Sequence, residues 1–488
     1  MSGIIPRIFW RISHIMKRWV LLAMLITIPS RLCAYKIPYE AWMGAYVGDS
    51  KVGYLHFQID SAELNGVKGY RVASNMHTRL TVLGVELVQD VTTVVLVDET
   101  YTPLYEQFSM SSGGKTTTVT AKFTKSAIDC VVTSGEGSVR KSIPIPGGVS
   151  LVGDSMFATL DKVPEVGKEF RAHYFNPLTL AVEEITVKAE RQEKLELDGK
   201  LYDTVVLSNV TPMGTMTVWQ AREGDVLKVA AMMGISLIRE TAEQAKTGVE
   251  GTTEDFAFRT RVRTDKPIAS PRQAKSLKVV LRGLVDTSMA ISDSRQKVEP
   301  VNPKSGEYLF RITVKDFDPR RSVLVPIRKQ GFEDFLAPTP YVDCDSPKIK
   351  EQAAAIIGDI KKAYTACSKI REWIYKNLRV KADIGITRSA SDVLESKSGV
   401  CRDYATLFAA FARAVGIPAK VVSGLVYLND GFYYHAWVEC WVGEWVPFDA
   451  TMPTNFVDAT HIKLAEGDAT TMFTLAKVIG NITAEVRE

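Results

Sequence analysis

The sequence predicts a multidomain protein: a β-rich N-terminal region, formed by an antiparallel curved sheet plus a small β unit, followed by an α+β C-terminal domain. Three observations predict it. The 488 residues exceed what one hydrophobic core holds, so roughly two to four domains are expected. From about Ala41 to Glu240, one β-branched and aromatic run follows another with turn signals between them. After Pro338-Thr339-Pro340 the apolar residues fall instead at helical spacing, and strands return near the C-terminus. The boundaries expected are 1–34 for a leader, 35–245 for the antiparallel β domain, 246–342 for a linker and small β domain, and 343–488 for the α+β domain.

The first segment is not part of a domain. Arg7, Arg11, Lys17 and Arg18 precede an apolar run from Trp19 to Ile28, and Pro29-Ser30-Arg31-Leu32-Cys33-Ala34 follows. A run that short does not cross about 30 Å of hydrocarbon as a helix, but it suits the core of a secretory signal. Cleavage after Ala34 is expected, which makes the protein periplasmic or extracellular. An uncleaved anchor is the alternative, and Cys33 as a lipoprotein cysteine follows a poor lipobox. Five basic residues and no acidic one lie before Tyr35, so cleavage takes the formal charge from +4 to −1. A near-neutral mature chain gives no argument for a nucleic-acid partner.

In the β region the expected strands include Val52–Ile59, Tyr70–Val82, Val85–Val97, Thr116–Phe123, Glu184–Val187, Thr204–Val210 and Met216–Arg222. Leu64-Asn65-Gly66, Ser112-Gly113-Gly114 and Leu197-Asp198-Gly199 punctuate them. Long strands in sequence suggest a strongly curved sheet, a half-open barrel that serves as scaffold or docks to the cell envelope. The polar stretch Thr241–Lys275 then breaks the pattern, and Ser276–Leu284, Tyr308–Val314 and Ser322–Ile327 read as strands of the small β unit.

Ser346-Pro347 reads as a helix start with a capping hydroxyl. Ala353, Ile356, Ile357, Ile360, Tyr364, Cys367, Ile370 and Ile374 follow at helical spacing, as two helices broken near Gly358. Cys401–Val415 is helical, with Tyr404, Leu407, Phe408, Phe411 and Val415 on one stripe, stopped by Gly416 and Pro418. Lys420–Leu428 and Phe432–Val442 are strands around an Asn429-Asp430-Gly431 turn, and Trp445–Phe448 returns along the second.

Chemistry concentrates in this last part. A cysteine at a helix N-terminus meets unpaired amides and a favourable dipole, which can lower a thiol pKa to roughly 3.5–7.5 from about 8.5. Cys401 has that place. Gly399 lets a substrate backbone approach, and the Cys401 amide suits an oxyanion. If the loop Val442–Glu444 has three residues, Asp449 comes opposite Trp437 and diagonal to His435, within hydrogen-bonding reach. A thiol with an imidazole that a carboxylate orients is an acyl-transfer catalyst. Trp437 is the candidate to wall a substrate groove or to pack under His435, Trp373 to be core or else to wall the site, Glu439 to form a salt bridge, and Asp403 to compensate the helix dipole, pair with Arg402 or hold a strand. The same parity turns Cys440 away from His435. Cys130, Cys344, Cys367 and Cys440 are too scattered for a disulfide framework; a Cys344–Cys367 bridge is one option and two buried thiols the preferred one. With no CxxC pair, neither metal nor other cofactor is expected. His56, His77 and His173 have no partner motif.

Gly399-Val400-Cys401-Arg402-Asp403-Tyr404-Ala405, the run Ala414–Gly424, His435-Ala436-Trp437-Val438-Glu439 and Trp445-Val446-Pro447-Phe448-Asp449-Ala450-Thr451 together resemble the bacterial transglutaminase-like superfamily, a compact relative of papain-like thiol enzymes. The resemblance covers Ile370 to Thr451. It implies Cys401 as nucleophile, His435 as base and acid, and Asp449 as orienter, on an α+β core with the cysteine helix against an antiparallel sheet. It also implies a peptide or protein substrate, attacked at an amide or a glutamine side chain. Val400 and Arg402 stand where animal crosslinking enzymes carry Gln and Trp, and Glu395 where papain-like enzymes carry a glutamine. Hydrolysis is therefore the favoured reaction. Transfer to an amine, and a non-catalytic envelope binding protein that retains the fold, are the alternatives.

Overall fold

The computed structural model describes residues 37–82, 85–134, 137–153, 163–251, 255–314, 316–380 and 388–487. The expected leader, with Cys33, lies outside the described residues. None of the described helices is long and apolar enough to cross a membrane.

Between residues 39 and 240 the described residues hold fifteen strands in one sheet. It consists of two antiparallel meanders joined where Tyr39–Val47 pairs with Ile235–Glu240, the second ending in the short strand Leu151–Val152, which pairs parallel with Glu169–Asn176. Several strands are long: Ser50–Leu64, Val67–Val82 and Ala181–Leu197. In the first, Val52, Leu55, Phe57 and Ile59 are buried, the alternation being broken only at Gly53 and Tyr54. The sheet curls until its two ends touch. Phe108, Met110, Val119 and Ile128 from one end share a cluster with Leu151, Phe175 and Leu180 from the other. The curvature expected from strand length is present, and among the described residues side chains rather than backbone hydrogen bonds close it.

The small β unit differs from expectation at three strands: Gln296–Asn302 and Thr483–Arg487 are gained and Ser322–Ile327 is lost. Its sheet runs in the order Gln296–Asn302, Glu307–Thr313, Ser276–Arg282, Thr483–Arg487. The expected strand at Ser322–Ile327 is instead an irregular segment. Leu324 makes an isolated bridge to Lys362, and Val323 and Val325 donate to Val442 and Lys361 carbonyls. Pro326 has no amide to donate, and the segment's partners are loop ends rather than a strand. The C-terminal strand takes the sheet edge, a pairing across the whole C-terminal domain that local pattern does not reveal.

Helices Pro347–Ile357 and Ala363–Asn377 flank Gly358, as the spacing predicts. Ser346 does not cap; its hydroxyl lies 3.0 Å from Ser391 Oγ. The Cys401 helix, Cys401–Ala414, is buried from Arg402 to Arg413 on every side, not along one stripe. Ala405, Ala409, Ala410 and Ala412 let neighbouring helices approach as closely as the sheet does. The sheet beneath has the order Val262–Arg263, Gly431–Trp441, Ala419–Leu428, Ile462–Gly467, and Trp445–Phe448 pairs the far end of Gly431–Trp441.

Candidate active site

The approach to Cys401 is held by a buried ion pair. Ser398-Gly399 pairs with Arg379-Val380 as a short parallel ladder, and the helix begins at Cys401 after an extended Val400. Asp403 Oδ2 accepts the Val400 amide at 2.9 Å and Arg388 Nη2 at 2.8 Å. The same guanidinium donates to the Ser398 carbonyl at 2.6 Å and to Ser396 Oγ at 3.0 Å. Asp403 thus does more than compensate a dipole: it ties the chain that delivers Cys401. A Cβ on Gly399 would meet Asp403 Oδ2 at 2.5 Å and Arg388 Nη2 at 2.6 Å. This packing by itself requires the glycine. Asp403→Ala strands Arg388 without its buried partner, and a loss of about 3–5 kcal/mol in denaturant stability is expected. A loss below about 1 kcal/mol would mean the pair holds nothing.

The His435 strand, Gly431–Trp441, has Ala419–Leu428 along one side. On its other side Val262–Arg263 pairs its start and Trp445–Phe448 its end. Between these two, residues 433–437 have no strand on that side among the described residues, and the Ala436 amide hydrogen-bonds the Cys401 sulfur in the gap. The loop that returns toward Asp449 has the three residues predicted, with Trp441 opposite Trp445 and Val442 N–H on the Glu444 carbonyl. Phe448 lies opposite Val438, so Asp449 emerges diagonal to His435. His435 Nε2 donates to Asp449 Oδ2 at 2.8 Å. Its other ring nitrogen is left for the hydrogen bond with Cys401. Asp449 Oδ1 accepts the Thr451 amide at 2.8 Å and its hydroxyl at 2.6 Å.

The charges are mutually reinforcing. Burial resists ionisation of the Cys401 thiol, but the hydrogen bond and charge of His435 and the Ala436 amide outweigh it and hold the thiol below its ordinary value. Burial likewise disfavours a charged His435; Asp449 and Cys401 overcome that and raise the imidazole to about 10. Asp449, although buried, is held well below the usual carboxylate range by His435 and His461. A thiolate beside an imidazolium is the state this arrangement favours.

For the other expected site residues the structure selects among the alternatives. Trp437 is 1% exposed, so it is no groove wall; it stacks 6.2 Å from His435 and stands edge-on to His461 at 5.3 Å. Trp373 packs edge-on against Phe411 at 5.6 Å, a half-buried core residue, because the Cys401 helix needs cover on that side too. Glu439 pairs with Lys463 at 2.7 Å and Lys420 at 3.3 Å. Glu395 meets Lys348 at 3.0 Å at the surface. Cys130, Cys344, Cys367 and Cys440 are buried thiols, and Cys440 faces Cys367 on the helix side of the sheet. His56, His77 and His173 lie beside Glu40, Asp90 and Glu184 on the large sheet.

Sequence reasoning missed His461. It is fully buried, with Nε2 3.2 Å from Asp449 Oδ2 and Nδ1 3.4 Å from Asp458 Oδ1. One signal was available: Asp449-Ala450-Thr451 recurs as Asp458-Ala459-Thr460, directly before this histidine. His435, Asp449 and His461 present ligand atoms within 4.8 Å of one another. A metal ion there would have to displace the hydrogen bonds that both rings make to Asp449.

Residues 350–450 match the transglutaminase-like superfamily, and residues 42–236 match a protein family of unknown function, DUF3108. An uncharacterized protein of Mycobacterium leprae (strain TN) is 28% identical over 148 residues, which are 28% of this chain and 50% of that protein. The chain therefore spans half the length of that curated relative. Among solved structures, a candidate cysteine protease from Cytophaga hutchinsonii is 22% identical at a TM-score of 0.30, over 44% of this chain and 86% of its own. A β-barrel-like DUF1849 protein from Brucella abortus is 14% identical at a TM-score of 0.32, over 42% of this chain and 94% of its own.

Proposed function

We propose, from a C-terminal domain that is transglutaminase-like, that this protein is an exported thiol hydrolase of peptide or other amide bonds. The observation that carries the reading is the partly exposed Cys401 at a helix N-terminus, hydrogen-bonded to a His435 that Asp449 holds at 2.8 Å. The Cys401 thiolate attacks the carbonyl carbon, and the helix amides at its N-terminus stabilise the oxyanion. His435 gives its proton to the leaving nitrogen as the C–N bond breaks, leaving a thioester on Cys401. The neutral imidazole then takes a proton from water, the hydroxide adds to the thioester, and the C–S bond breaks to release the acid. Export rests on the basic and apolar leader that ends at Ala34.

The test is alkylation of the purified mature protein with iodoacetamide across pH, followed by peptide mapping, beside a His435→Ala variant. Cys401 is expected to react fast below about pH 7, and the variant to lose that advantage. A Cys401 no faster than a free thiol ends the enzyme reading. Incorporation of a primary amine into product would instead make the protein a transferase.

A further inference from the structure

We propose that His461 is a positioning residue for this site: it fixes the carboxylate of Asp449 from behind, and Asp458 fixes it in turn. The inference rests on the thiol-enzyme reading and adds a second layer to it. A carboxylate has about four lone-pair sites, and Asp449 has a donor at each: the Thr451 amide and hydroxyl on Oδ1, and His435 and His461 on Oδ2. Three donors would leave Oδ2 able to swing with the imidazole of His435. The fourth closes the set, so the direction in which His435 presents its other nitrogen to Cys401 is set by groups that touch no substrate.

His461 is itself constrained. Asp458 Oδ1 accepts the Thr460 amide at 2.9 Å and faces His461 Nδ1 at 3.4 Å, repeating the local turn by which Asp449 holds Thr451. Asp458 Oδ2 pairs with Arg272 at 2.9 Å. Arg295 donates to the carbonyls of His461 and Val457 at 2.8 and 3.2 Å, and to that of Asp458. Trp437 stacks on His435 and stands edge-on to His461, and the two imidazoles meet edge to face at 5.7 Å. The charged and titratable groups facing the ring are thus Asp449, Asp458 and His435, with Arg272 and Arg295 behind. Along their strand His435 and Trp437 alternate with Ala436 and Val438, which pack in the Cys401 helix core.

The test compares the full chain with His461→Ala, His461→Gln and Asp458→Asn in the pH dependence of Cys401 alkylation. In His461→Ala the rate at pH 6 is expected to fall about 10-fold or more, the size seen when partners behind a site are removed, with the rates converging at high pH. His461→Gln, whose amide can still donate to Asp449, is expected to recover to within about 3-fold. A role in folding alone would not shift the pH profile or be rescued in this way. A folded His461→Ala with the wild-type profile overturns the inference. Should that variant not fold, His461→Gln and Asp458→Asn decide: a displaced profile in Asp458→Asn with rescue in Gln supports it, and wild-type profiles in both overturn it. A wild-type Cys401 that reacts no faster than a free thiol overturns the thiol-enzyme reading itself, an outcome separate from any difference between variants.

Discussion

Replacing Cys401 with alanine is expected to abolish turnover of a peptide amide, by at least about 10⁴-fold in kcat, because the proposed acyl-enzyme forms on its sulfur. His435→Ala is expected to cost a similar factor, and the double variant little more, since the thiol and the imidazole act as one unit. Stability should change by less than about 1 kcal/mol in Cys401→Ala, as the side chain is partly exposed and its removal leaves the helix intact. The measurement is steady-state kinetics on a fluorogenic peptide panel with a denaturation curve for each variant. An alanine variant that retained a tenth of the activity would move the nucleophile elsewhere, and the buried positions of Cys344, Cys367 and Cys440 offer no replacement.

The second large effect is expected from Asp449→Asn, which preserves shape and removes the charge. Turnover should fall by about 10³–10⁴-fold, the cost of losing the orienting carboxylate in a comparable triad. The pH dependence has a definite sign. His435 is raised to about 10 from an ordinary value near 6.5, mainly by Asp449 acting against burial. Its charged form therefore contributes stability that is complete below about pH 6.5 and is lost as the pH rises to about 10. Asp449 is depressed, so its contribution is complete above the usual carboxylate range and is lost as the pH falls through it. Wild-type activity should accordingly persist to a high alkaline limb, which reports loss of the proton that the leaving amine needs. In Asp449→Asn that limb should move toward neutrality, and the stability lost between about pH 6.5 and 10 should shrink. An unmoved alkaline limb, measured as kcat/KM against pH, would mean that Asp449 does not hold the charge on His435.

Local pattern made much of this legible. The Cys401 helix was readable because a capping glycine and a proline bound its far end, and apolar residues recur along it at helical spacing. The hairpin was readable because period-two parity converts loop length into facing side chains, so a three-residue loop was enough to bring Asp449 to His435. Burial on all sides of the helix was not readable, since alanines satisfy a core and a surface equally well in sequence. Trp437 shows the same limit: alternation assigns it the face of His435, but only packing decides whether that face meets solvent or His461.

The sequence alone therefore determined the residue types of the site, their elements and their pairing in register, because each depends on neighbours within a turn or a hairpin. Only the tertiary structure decided what holds them. The Arg388–Asp403 pair, the Ala436 amide on Cys401 and the His461–Asp458 support join segments that periodicity treats as independent. Buried polar groups must find partners wherever the fold brings them, and that choice is made in three dimensions.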